Sequence, residues 1–169
     1  MHKSSPQKNT STDKASQQRS QHYLQQALGR HRAGQQQQAA DAYQQAIKSD
    51  QRNADAWNLL GVLRYQQRDL LHAEELFRQA LQLRAAFADA DFNLASLLRE
   101  TQRLPEALTH YSAAVTARPD FFQAHDSCGL VLQELGRYQE AIAAHRRAFA
   151  LVPNNPLVAN NLAVALKAA

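Results

Sequence analysis

Residues 54–87 read ADAWNLLGVLRYQQRDLLHAEELFRQALQLRAAF, and the next 34 residues, ADADFNLASLLRETQRLPEALTHYSAAVTARPDF, lie over them without insertion or deletion. The register extends both ways. Ala39, Ala73, Ala107 and Ala141 form one column, and Ala46, Ala80, Ala114 and Ala148 a second. Tyr43, Phe77, Tyr111 and His145 form a third, and Ala27, Gly61, Ala95, Gly129 and Ala163 a fourth. A fixed period of this length is the signature of a stacked repeat protein, in which each unit contacts only its neighbours. The apolar residues within each block recur at helical spacing, so the expected fold class is all-α, an α-solenoid.

Each block reads as two antiparallel helices joined by a short turn. In residues 54–87, a first helix is expected from Ala54 to Gln67 and a second from Leu70 to Leu83, with Arg68 and Asp69 between them. Gly136 holds the corresponding turn in a later block and Gly34 in an earlier one, where the left-handed conformation that ends a helix suits glycine. Pro119 and Pro153 fall between blocks and stop the second helix. The units are therefore 20–53, 54–87, 88–121 and 122–155, with Pro156 opening a capping helix or the first helix of a truncated fifth unit, 156–169. Residues 1–19 are polar, have little to bury, and are expected to be a disordered tail.

Composition narrows the function. Lys3, Lys8, Lys14 and Arg19 against Asp13 give the tail a net charge of +3, and residues 20–169 carry only +1. The folded part is close to neutral, whereas a nucleic-acid binder usually concentrates basic residues on one face, so no nucleic-acid partner is expected. The single Cys128 rules out an internal disulfide. The N-terminal stretch has no apolar core of a secretory signal, and no apolar run reaches the ~20 residues of a membrane helix. A cytoplasmic protein without a membrane partner is the expectation.

Trp57-x-x-Leu60-Gly61, then Ala73-x-x-x-Phe77 and Ala80, resembles the tetratricopeptide repeat, whose 34-residue unit shows the same pattern. The resemblance implies a right-handed superhelix of helix–turn–helix units. Small residues at 61, 73 and 80 allow close helix approach, and Trp57, Leu60 and Phe77 fill the space around them. Arg64 departs from the pattern, standing where the family has Tyr, and the first unit has Tyr23 for Trp and Gln26 for Leu. In the family, places on the first helix of each unit line a concave groove. Carried over, that placement singles out Leu24 and Leu28, then Asn58, Val62 and Tyr65. It continues with Asp89, Phe92, Asn93 and Arg99, then Asp126, Leu130 and Asn161. The Lys, Arg and Asn set with which some members clamp acidic chaperone C-termini is missing. Asn93 and Asn161 lie inside Asn-Leu-Ala triplets, similar to the asparagine ladder of O-linked N-acetylglucosamine transferases. An amide there can bond the backbone of an extended peptide.

No catalytic apparatus is evident, and neither a cofactor nor a metal is expected. His125 and His145 could meet inside one hairpin, but two His make a poor zinc site. Cys128 stands where other units have Leu60, Leu94 and Leu162, so it reads as a small buried hydrophobe. The expected function is a non-catalytic scaffold that binds a peptide or helix of a partner protein in the concave groove. Asp55, Asp89, Asp126, Glu100 and Glu134 outnumber Arg32 and Arg99 there, so a basic partner is expected. Two alternatives stand beside it. The array could be the substrate-recruiting arm of a bacterial glycosyltransferase or sulfotransferase. It could instead self-assemble through residues 156–169, where Leu162 and Leu166 are expected to cover the preceding helix and Val158 and Ala165 to remain open.

Overall fold

The computed structural model describes residues 10–169, and among these it contains nine helices and no strand. They are α1 (Thr10–Arg32), α2 (Gln36–Ser49), α3 (Ala54–Gln66), α4 (Leu70–Leu83) and α5 (Ala88–Glu100). α6 (Leu104–Ala117), α7 (Phe122–Glu134), α8 (Tyr138–Leu151) and α9 (Pro156–Ala168) complete the chain. Helices α3, α5, α7 and α9 start 34 residues apart, as do α2, α4, α6 and α8. The tightest packing is within the pairs α1–α2, α3–α4, α5–α6 and α7–α8, and successive pairs stack through α2–α3, α4–α5, α6–α7 and α8–α9.

The aligned columns are the packing surface. The two alanine columns are fully buried, and Tyr43, Phe77, Tyr111 and His145 between them are at most 2% exposed. Cβ-only side chains let the helices approach, and one large ring per unit fills what remains. Glycine is required by contact at two places. A Cβ on Gly61 would lie 2.7 Å from the Phe77 ring, and one on Gly129 would lie 2.6 Å from the His145 ring.

The turn within each pair repeats as faithfully as the core. Gly34, Arg68, Gln102 and Gly136 all have positive φ, between 61° and 74°. The next residue donates its N–H back five residues, as from Asp69 to Arg64 (3.0 Å) and Arg137 to Leu132 (2.8 Å), closing a Schellman turn. Asn53 and Asn155 cap α3 and α9 by accepting N–H groups from the first turn. Ser20, fully buried, donates to the Ala46 carbonyl and accepts from the Asn53 amide, both at 2.8 Å, and so ties α1 to α2 and α3.

Two expectations require correction. The stretch 10–19 is helical, because α1 begins at Thr10; the rest of the expected disordered tail, residues 1–9, lies outside the described residues. Once α1 is nucleated against α2, each Gln, Ser or Lys added upstream fixes one residue per hydrogen bond, so a solvated helix propagates without a core. The face of α9 is also reversed. Val158 and Ala165 are the buried residues, at 1% and 0%, while Leu157, Val164 and Leu166 are 64%, 50% and 49% exposed. Val158 and Ala165 repeat the places of Ala124 and Val131, which are fully buried. Leu162 and Leu166 instead repeat Cys128 and Leu132, and of the two only Leu162 is half-buried.

Candidate functional site

The first helices of the units present their twelfth and thirteenth residues on one side, and in the first three units the twelfth bonds the next unit's thirteenth. His31 Nε2 bonds Gln66 Oε1 (2.7 Å), the Tyr65 hydroxyl donates to Glu100 (2.5 Å), and Arg99 Nε donates to Glu134 (2.8 Å). A second seam joins fifth places to sixth. Asn93 Nδ2 donates to Asn58 Oδ1 (3.0 Å), and Asn161 Nδ2 donates to Asp126 Oδ2 (2.8 Å). All five bonds span 35 residues, one repeat plus one, because the superhelical offset brings a residue level with its neighbour's successor.

Between the seams lies an open cavity of about 520 Å³ among α3, α5 and α7, lined by Tyr65, Ser96, Arg99, Glu100, Tyr111 and Ser127 among others. Ser96 Oγ donates to the Phe92 carbonyl (2.8 Å), so it accepts from the Tyr111 hydroxyl 3.0 Å away. Burial pushes the Tyr65 phenol up to about 12, and its hydrogen bond to Glu100 adds to the rise. Burial likewise raises Tyr111, partly offset by hydrogen bonds to Ser96 and Ser127. Both phenols are therefore neutral donors near neutral pH. Further along the same helices a second cavity of about 510 Å³ is lined by Asp89, Phe92, Asn93, Arg118 and Phe121. There Phe92 and Phe121 pack with ring centroids 4.9 Å apart, and Arg118 lies over the Phe121 ring at 4.1 Å.

The residues singled out from sequence divide into three groups. Tyr65, Arg99, Asp89, Phe92 and Asn93 line these two cavities. Val62, Leu28, Leu130 and Asn161 are half-buried on the same helices. Leu24, Asn58 and Asp126 are no ligand surface: they are 5%, 5% and 8% exposed. Leu24 belongs to the core shared by α1, α2 and α3. Asp126 holds His145 Nδ1 at 2.7 Å with one oxygen and Asn161 with the other, and His145 Nε2 contacts Gln133 at 3.0 Å. His125 turns elsewhere, to the Pro119 carbonyl (3.0 Å), so the two histidines do not share a ligand.

The charge expected to attract a basic ligand is neutralised within the chain. Asp55 is paired with Arg84, Asp89 with Arg118, Glu100 with Arg68 and Glu134 with Arg99. The asparagine ladder changes meaning too. The amides of Asn93 and Asn161 are donated to the preceding unit, so they stitch the superhelix. Sequence reasoning missed Tyr111, which belongs to a second helix and was assigned to packing alone. Its ring is core, and only its hydroxyl reaches the groove.

Among the described residues no three His, Cys, Asp or Glu side chains are grouped to hold a metal, and no helix is long and apolar enough to cross a membrane. Burial pushes the Cys128 thiol up, away from the reactive thiolate.

Sequence models of the tetratricopeptide repeat match residues 30–67, 64–120 and 124–159. No curated protein sequence matches the chain. Among solved structures, the chain is similar to pilF of Pseudomonas aeruginosa, with TM-score 0.83 and 26% identity over 90% of this chain and 70% of that one. It is similar to MamA at TM-score 0.78 and 19% identity, covering 88% and 81% of the two chains. A third structure, YrrB, described as a TPR protein with an unusual peptide-binding site, superposes at TM-score 0.74 with 20% identity, covering 86% and 75%.

Proposed function

We propose that this chain, which belongs to the tetratricopeptide repeat family, is a non-catalytic interaction module that takes a peptide segment of a partner protein along its concave face. The observation that carries this reading is the cavity among α3, α5 and α7. Phenol, hydroxyl and guanidinium groups converge there on an open space of about 520 Å³. Such a lining offers donors and acceptors to a peptide backbone and polar side chains. Phe92 and Phe121 supply an apolar wall beside it for an anchoring side chain. Because the seams already hold Tyr65, Arg99 and the two asparagines in place, little side-chain entropy is lost on binding. With every acidic groove residue paired, the ligand is selected by shape and hydrogen bonding rather than by a net positive charge.

The test is a random peptide library displayed on phage and selected on the native protein, followed by titration of the selected peptide against Tyr65→Ala and Phe92→Ala. Weakened binding in either variant, with helicity retained by circular dichroism, supports the groove. Unchanged affinity in both refutes it. A second reading, self-association through α9, is favoured by the exposed Leu157, Val164 and Leu166. Sedimentation across a wide concentration range decides it, since a monomer throughout removes that reading.

A further inference from the structure

The boundaries between the second helices of successive units differ. Between α4 and α6, Arg103 bonds Glu74 at 2.8 Å and Arg78 reaches Glu106 at 3.6 Å. Below them Asp91, in the column of Trp57, is held by His110 at 2.8 Å. Between α2 and α4 no ion pair crosses among the described residues. Two adjoining cavities of about 510 and 750 Å³ open there instead, both lined by Trp57, Leu60, Gln44 and Gln79.

The floor of this crevice is apolar. Trp57 is half-buried rather than enclosed, and its indole N–H is fixed by the Gln51 carbonyl at 3.0 Å, so the ring is held in one orientation. Leu76 widens the apolar surface toward one end and Ile47 and Leu83 toward the other. The charges are sorted by end. Lys48 and Arg52 flank the Ile47 end, both exposed and without an ion-pair partner among the described residues. Arg64, Asp69 and Glu75 line the other end, where Asp69 is already held by His72 at 2.8 Å.

We propose that this crevice is a second docking surface, built for an acidic, amphipathic segment of a partner protein. That segment seats a bulky apolar side chain on the Trp57 indole and directs carboxylates to Lys48 and Arg52. Charge complementarity selects the occupant: Lys48 and Arg52 give one rim of an apolar slot a net charge of +2, and Arg64, Asp69 and Glu75 leave the other at −1. A second copy of this chain does not supply that chemistry through α9, whose only charge is Lys167. This surface is independent of the concave groove, so either can fail without the other.

Trp57 is the only tryptophan of the chain, and its emission reads the crevice directly. The probe is a short acetylated and amidated peptide with Leu and Phe at helical spacing and Asp and Glu between them. Its counterpart carries Lys at the acidic positions. The acidic peptide is expected to shift Trp57 emission saturably and the lysine peptide not to. Combining Lys48→Glu with Arg52→Glu, both solvent-exposed, should weaken the acidic peptide by about tenfold or more. Tyr65→Ala in the groove should leave its affinity unchanged. The proposal is overturned by a flat titration, by equal binding of the lysine peptide, or by loss of binding in Tyr65→Ala. An emission shift that follows protein concentration alone would assign the crevice to a second copy and equally overturn it.

Discussion

Glycine-to-alanine substitution gives opposite signs at two exposed places in this chain, and the four equivalent turns explain why. At Gly136 an added Cβ meets nothing within 4 Å, so Gly136→Ala creates no clash and tests the backbone alone. Its φ is 74°, where an L-residue costs about 1–2 kcal/mol. Restricting the unfolded chain returns about 0.4–1 kcal/mol of that. The net expectation is a loss of about 0.5–1 kcal/mol, and each kcal/mol lowers the melting midpoint of a chain this size by about 2–4 °C. Gln102 holds the same turn one unit earlier at φ 61°, and its side chain has no hydrogen-bond partner among the described residues. Gln102→Gly should therefore stabilise by a comparable amount. Arg68→Gly should gain less, because it also removes the ion pair with Glu100. Gly29 lies inside α1, again with open space around it, and Gly29→Ala should stabilise by about 1 kcal/mol through helix propensity. Urea and thermal unfolding followed by far-ultraviolet circular dichroism measure all four. If Gly136→Ala stabilises as Gly29→Ala does, or Gln102→Gly unfolds earlier than the native protein, the turn argument is wrong.

Phe77→Ala should cost about 3–5 kcal/mol as a fully enclosed ring, and the half-buried Trp57→Ala should cost less; equal losses in urea titrations would contradict the open crevice. Asp126→Ala strands the buried His145 Nδ1 and frees Asn161, so about 1–3 kcal/mol should be lost, with amide exchange accelerating first in α8 and α9. Burial raises Glu74, but hydrogen bonds from Arg78 and Arg103 outweigh it and hold the carboxyl below its ordinary 4.5. The Arg103 hydrogen bond lowers Glu106 in the same way. The unfolded chain then takes up protons first, so this stabilisation is complete above 4.5 and is lost as pH falls through the lower folded values. Urea midpoints at about pH 6 and about pH 3.5 should differ less in Glu74→Gln than in the native protein; an identical pH dependence in the two would refute the assignment.

The repeat was readable because its period is local. Every 34 residues the chain must again place alanine where helices touch, a ring between them and a turn at the end, and single residues state those needs. Tyr43, Phe77, Tyr111 and His145 share one position of the aligned repeat, and Gly34 and Gly136 share another at their turns. The candidate groove was legible only as an address. Tyr65, Phe92 and Arg99 do line it, but Leu24, Asn58 and Asp126 are buried in the contacts between helices.

Intrinsic propensity and periodic burial act over a few residues, so the all-α solenoid, the helix pairs and the columns that pack follow from local sequence. What depends on the offset between units emerges only when the units stack. That offset pairs Tyr65 with Glu100, Arg99 with Glu134 and Asn58 with Asn93, and so turns groove charge into internal seams. It turns Val158 and Ala165 inward on α9, and it leaves Trp57 at an open crevice where its counterpart Asp91 is closed over. The rotation from one unit to the next is set by summed packing across whole interfaces, and no single residue in the sequence records it.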